Sequence, residues 1–224
     1  MTVSTDSDPA AAAADQVNGS VPNRTPRFGP GWLAAVLIFG LLVGAAGGIL
    51  YPRLFGTPED TSVEAGFLRD MSTHHAQAVE MAMIAHANST NKDVVTLAGD
   101  IALTQHGQIN YMQAWLRDWN LSPTGSEAPM AWMPGSAGAV VNGLMPGMAT
   151  PEQLAKLRTA TGTDLDVQFL TLMRQHHLGG IHMAQEALAL SDNKDVDWLA
   201  DSMVSSQQGE ITLIDAMLKK IQQK

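Results

Sequence analysis

The sequence predicts an all-α protein: an antiparallel four-helix bundle made of two repeated helical hairpins and preceded by a single transmembrane helix. Three observations lead there. A long segment recurs at an offset of 102 residues, apolar side chains repeat at helical spacing within each copy, and residues 31–50 carry no charge. Composition agrees. Aromatics make up only 5% of the 224 residues, scarce for a β-sandwich or barrel, whereas Met occurs 13 times and Cys not at all. Lack of Cys excludes disulfides, thiolate zinc sites, iron–sulfur clusters and cysteine nucleophiles together. The formal charge of −9 argues against a nucleic-acid surface, because neutralising phosphates takes clustered Lys and Arg.

Residues 1–30 hold few large apolar groups and are expected to form a disordered tail. The apolar run 31–50 would span about 30 Å as a helix, the thickness of a bilayer's hydrocarbon core. Trp32 and Tyr51 mark its ends, where interfacial aromatics belong. Arg24 and Arg27 precede it and only Arg53 follows closely. That bias keeps the tail in the cytoplasm and puts the C-terminal domain outside it, at the cell membrane. A cleavable signal peptide competes, with Val43-Gly44-Ala45 as its small-residue site. The apolar run continues to Leu50 and the polar head is long for a signal, which favours an uncleaved anchor. Residues 51–61 read as a Pro/Gly linker into a domain at 62–224.

The repeat is the most informative feature. Phe67-Leu68…Met71…His74-His75 matches Phe169-Leu170…Met173…His176-His177, and Met81-Ala82 matches Met183-Ala184. Asn91-Lys92-Asp93-Val94 matches Asn193-Lys194-Asp195-Val196. Helices are expected at 62–88, 92–120, 163–190 and 194–222. Thr61-x-x-Glu64 and Thr163-x-x-Asp166 are read as capping signatures for the first and third, and the two Asn-containing turns as stops and new caps. The insert 121–162, rich in Pro, Gly and Met, holds one short helix after Thr150-Pro151-Glu152-Gln153.

On a helical wheel, His74 and His75 straddle the apolar face of the first helix together with Phe67, Met71, Ala78, Met81 and Ala82. His176 and His177 do the same on the third with Met173, Gly180 and Met183. Gln105 and Gln207 fall within the apolar stripes of the second and fourth helices. A buried Gln is costly unless hydrogen-bonded, so the core imidazoles are its expected partners, directly or behind a metal. One apolar-face His is usually a satisfied core residue. Two copies set face to face point instead to a metal site with His74, His75, His176 and His177 as nitrogen ligands and Met71, Met81, Met173 and Met183 as sulfur candidates. Imidazole plus thioether without thiolate suits copper, above all Cu(I), and suits Mg or Ca poorly. A di-iron centre would need Glu-x-x-His motifs, and none occurs. Met145 and Met148 in the insert are candidates for capturing or handing over Cu(I).

These motifs, with Met145-Pro146-Gly147-Met148 and Thr150-Pro151-Glu152-Gln153-Leu154, resemble the family called domain of unknown function 305 over roughly residues 62–221. The resemblance implies a ferritin-like four-helix fold, frequent export and, in some members, copper binding and tolerance. The family's usual Gln-Gln-x-Glu-Ile stands here as Gln207-Gln208-Gly209-Glu210-Ile211 but as Gln105-His106-Gly107-Gln108-Ile109 in the first repeat. The expected function is therefore a membrane-anchored, extracytoplasmic protein that sequesters or delivers copper ion. A copper-dependent oxidoreductase and a structural or interaction module without metal are the alternatives. No catalytic residue and no protein partner is specified.

Overall fold

The computed structural model describes residues 29–136 and 138–223, so nearly all of the expected disordered tail lies outside the described residues. The chain divides into two units, one ending at Gly56 and one beginning at Thr57. The first holds α1, Pro30–Phe55. Its side chains from Trp32 to Val43 are exposed throughout, with Leu37, Phe39 and Leu41 at 70% or more, and Gly31–Gly48 is long and apolar enough to cross a membrane. A helix apolar on every side has no face suited to water.

The second unit holds α2 (Val63–Asn88), α3 (Lys92–Asp118), α4 (Pro151–Thr159), α5 (Gly162–Leu190) and α6 (Lys194–Gln222), with no strand among the described residues. α2 pairs with α3 and α5 with α6, and the hairpins meet chiefly along α2 and α5. The expected caps form at the second helix of each hairpin: Asn91 accepts from the Asp93 amide and Asn193 from the Asp195 amide. Thr150 and Gln153 complete a reciprocal capping box at α4.

Two expected caps are replaced. Ser62, not Thr61, accepts from Ala65 N and caps α2, while Glu64 accepts from the Asp192 amide in the α5–α6 turn. α5 starts at Gly162 with no side-chain cap, and Asp166 accepts from the Ser89 hydroxyl, 2.6 Å away in the α2–α3 turn. Glu64 and Asp166 are equivalent in the repeat, so each hairpin ties its first turn to the other's connection. A tertiary hydrogen bond between partly buried groups outcompetes the local capping arrangement here.

The insert is strapped along α2. Arg69 donates to the carbonyls of Asp60 and Ser122, and Asp70 accepts from Met130 N and from Trp132 Nε1. One further pair of turns along, the Gln77 amide donates to Ala149 O at 2.9 Å and accepts from Ala149 N at 2.6 Å. Glu80 then pairs with Arg158 of α4. These residues recur at helical spacing, so one face of α2 holds the segment in place. Burial raises the Asp70 carboxyl above its ordinary range, only partly offset by its two donors.

Gly66 lies beneath the Trp132 ring: a Cβ there would sit 2.6 Å from it, whereas Gly107 and Gly209 on α3 and α6 face open space. Gly66→Ala should therefore cost about 1–3 kcal/mol through overpacking. Gly107→Ala and Gly209→Ala should each stabilise by about 0.5–1 kcal/mol through helix propensity. Urea midpoints of the three variants, compared at constant slope, check both signs.

Candidate metal centre

The bundle core is interrupted. One apolar cluster contains Met71 of α2, Met183 of α5 and Met112 and Met203 from the flanking helices; the other contains Met81 of α2 and Met173 of α5. In sequence, His74 and His75 lie between Met71 and Met81, and His176 and His177 between Met173 and Met183. The four imidazoles are at most 1% exposed, and Gln105, Gln108 and Gln207 are buried with them. The hairpin repeat thus produces a polar layer across the middle of the bundle. Because α2 and α5 run antiparallel at the seam, each apolar cluster receives one seam methionine from each helix.

The layer's hydrogen bonds determine which ring nitrogens carry protons. His75 Nε2 bonds to Gln108 Oε1 at 2.8 Å, His177 Nε2 to Glu210 Oε2 at 2.5 Å, and His74 Nε2 to the Pro146 carbonyl at 3.0 Å. Each partner is an acceptor, so Nε2 donates and Nδ1 keeps its lone pair in the neutral ring. The Nδ1 atoms of His74, His75 and His177 are buried with no hydrogen-bond partner, as is Nε2 of His176. The His74 and His176 rings meet across the α2–α5 seam, with centroids 3.8 Å apart and planes at 36°.

Gln105 and Gln207 lie in the layer but do not hold the imidazoles as expected. Gln105 Nε2 and Oε1 and Gln207 Oε1 have no hydrogen-bond partner, and the second histidine of each pair turns instead to Gln108 or Glu210, three residues further along the helix. That signal was present in the repeat, as the last polar position of Gln-x-x-Gln and Gln-x-x-Glu. Gly180 makes room for Gln207, since a Cβ would lie 2.7 Å from its Oε1. Met145 is 4% exposed and packs into the first cluster, with half-buried Met148 against it, so the Met145–Met148 segment is a packed cover rather than a loose loop. Gly147, at φ +81°, and Gly179 let it press on α5: a Cβ on Gly179 would meet Pro146 O at 1.9 Å. Neither Gln77 nor Pro146 was legible as a partner, because both bonds close over 72 residues. His182 is exposed, and His86 bonds the Val95 carbonyl through Nδ1.

Among the described residues, no group of three or more His, Asp or Glu side chains could hold one ion. A carboxylate-rich centre therefore does not fit. Neutral imidazole nitrogens with buried lone pairs, between Met-containing apolar clusters, fit a soft monovalent ion better than a hard divalent one. Unsatisfied buried polar atoms cost about 1–3 kcal/mol each, which is expensive for a merely structural layer.

An all-helical bundle with a buried histidine layer of this kind defines a class of small helical domains. The chain belongs to the DUF305 family, a domain of unknown function matched at residues 64–218. It is similar to the crystal structure of a candidate secreted DUF305 protein from Streptomyces coelicolor: 41% identity, TM-score 0.67, covering 73% of this chain and 96% of that one. A DUF305 fragment from Deinococcus radiodurans matches at 32% identity and TM-score 0.59, over 70% of this chain and 96% of the fragment. CopM in its Cu(I)-bound form shares the fold at 23% identity and TM-score 0.55, over 73% of this chain and 97% of CopM. No curated protein matches the sequence.

Burial is the main cause that lowers three of the imidazoles: His74 to about 4, His75 to about 3 and His176 well below 6.5. Repulsion from neighbouring histidines adds to it, and the bonds to Pro146 and Gln108 offset it only in part. The unfolded chain protonates them near 6.5, so from there down to about 4 it binds up to three more protons than the folded one. Stability should be full above pH 6.5 and fall as pH drops through that window, by up to about 4 kcal/mol per pH unit. Urea unfolding at half-unit steps from pH 7.5 to 4.5 measures the slope, and His75→Gln should flatten it by about one proton.

Proposed function

We propose that this chain is a membrane-anchored, extracytoplasmic protein that binds copper as Cu(I) and sequesters or delivers it. The observation that carries this reading is the His74–His176 contact, buried between two Met-containing apolar clusters, with unpartnered ring nitrogens. His74 and His176 would supply nitrogen, and Met71 with Met183, or Met81 with Met173, sulfur. His75 and His177 would serve as further nitrogen donors, Gln105 and Gln207 as amides around the ion, and Met145 and Met148 as the cover through which it exchanges. Structures of CopM with Cu(I), Cu(II) and silver support the reading at the level of a shared fold, silver being the soft monovalent analogue of Cu(I). A ligand set of neutral groups favours the monovalent ion, whose desolvation costs less than that of Cu(II).

The depressed basicity of these imidazoles keeps them available as ligands in mildly acidic surroundings, where an ordinary histidine would be protonated. A structural module is the second reading, favoured by the three imidazoles already bonded within the protein. Cu(I) competition against a calibrated chelator separates them. His74→Gln/His176→Gln should weaken Cu(I) binding at least about 100-fold, since losing even a group behind a ligand costs 10–100-fold. His182→Gln should leave it unchanged. Equal effects of the two, or no Cu(I) binding by the unaltered chain, would leave the structural module standing.

For location, α1 would be the uncleaved anchor, supported by its length and its exposed apolar surface. Protease added to spheroplasts should degrade the domain from Thr57 onward. Degradation only after lysis would place it in the cytoplasm, and a mature chain beginning near Gly44 would mean that α1 is a cleaved signal.

A further inference from the structure

The bonds made by His75 and His177 are equivalent in the repeat and differ in charge. Gln108 on α3 and Glu210 on α6 are equivalent in the repeat, and each accepts the Nε2 proton of the second histidine on the adjoining helix, at 2.8 and 2.5 Å. His75 and His177 are both fully buried, and each keeps an unpartnered Nδ1. The substantive difference is that an amide stands behind His75 and a carboxylate behind His177, with the Glu210 side chain itself 16% exposed.

That difference acts on the far side of the ring. A carboxylate accepting one imidazole proton increases the electron density at the other nitrogen and makes it a stronger donor to a metal, whereas an amide does so far less. It also places a negative charge near any cation drawn to that nitrogen, and the poorly screened interior keeps the attraction strong. We propose that Glu210 is a positioning residue that makes His177 a stronger nitrogen donor than His75, so that a cation entering the pseudo-symmetric layer engages His177 first. The inference rests on the metal-binding reading above. His75, backed by Gln108, is the weaker donor.

The experiment uses the full-length chain in detergent, labelled with 15N-histidine, and Cu(I) alone as the probe. The chain has seven histidines, so their ring signals can be identified by single His→Gln variants. With substoichiometric Cu(I), the His177 ring signals should move before those of His75. Glu210→Gln should abolish the order and weaken the first binding step by about 10–100-fold. The exchanged double variant Gln108→Glu/Glu210→Gln keeps the layer's composition and should reverse the order. A structural ion pair would alter the melting temperature without transferring the preference. Cu(I) binding with the order unchanged in the double variant overturns this inference alone. Failure of the unaltered chain to bind Cu(I) overturns the metal-binding reading and this inference with it.

Discussion

Burying four imidazoles at the α2–α5 seam is the constraint to which the rest of the domain conforms. A polar layer in a bundle of this size is costly unless its groups are bonded, and the neighbouring helices meet part of that demand. Gln108 and Glu210 each take one ring proton, and the Pro146 carbonyl takes another. Small residues follow from the same demand. Ala78, Ala82 and Ala184 surround the layer, and Gly180 admits Gln207. The apolar core is correspondingly divided into two clusters.

The insert breaks the symmetry that the repeat imposes. It is held along α2 by Asp70 and Gln77. Its grip on α2 uses residues the repeat does not share: Asp70 stands where the second copy has Leu172, and Gln77 where it has Gly179. Pro146 O therefore reaches His74 and not its equivalent, and His176 Nε2 is left without a protein partner. The stacked pair is chemically unequal: one ring is held by the cover, the other by the His74 backbone. The same close approach explains why Gly147 and Gly179 cannot carry a side chain.

Electrostatics and softness act together at such a layer. Burial lowers proton affinity and so keeps nitrogen lone pairs free, while thioethers add polarisable donors that bring no charge. Among the described residues, carboxylates are nearly excluded from the layer. Glu210 is the exception, and it touches an imidazole rather than joining other acids.

The sequence by itself determined the helical class, the two-hairpin repeat, the apolar α1 and the residues that face the core. Periodicity and an offset of 102 are local or self-referential signals, and they survive without knowledge of the fold. It also determined that His74, His75, His176 and His177 share buried faces, since adjacent residues on an apolar stripe cannot both avoid the interior. Only the tertiary structure decided which partners those rings find. A shift of one helical turn moves the bond from Gln105 to Gln108 or from Gln207 to Glu210, and sequence periodicity does not resolve one turn against the neighbouring helix. Nor did it reveal that the segment from Met145 to Ala149 is clamped by Gln77 at Ala149 and presses on Gly179. Those contacts join residues that only the packing of an irregular segment brings together, and no repeating pattern records them.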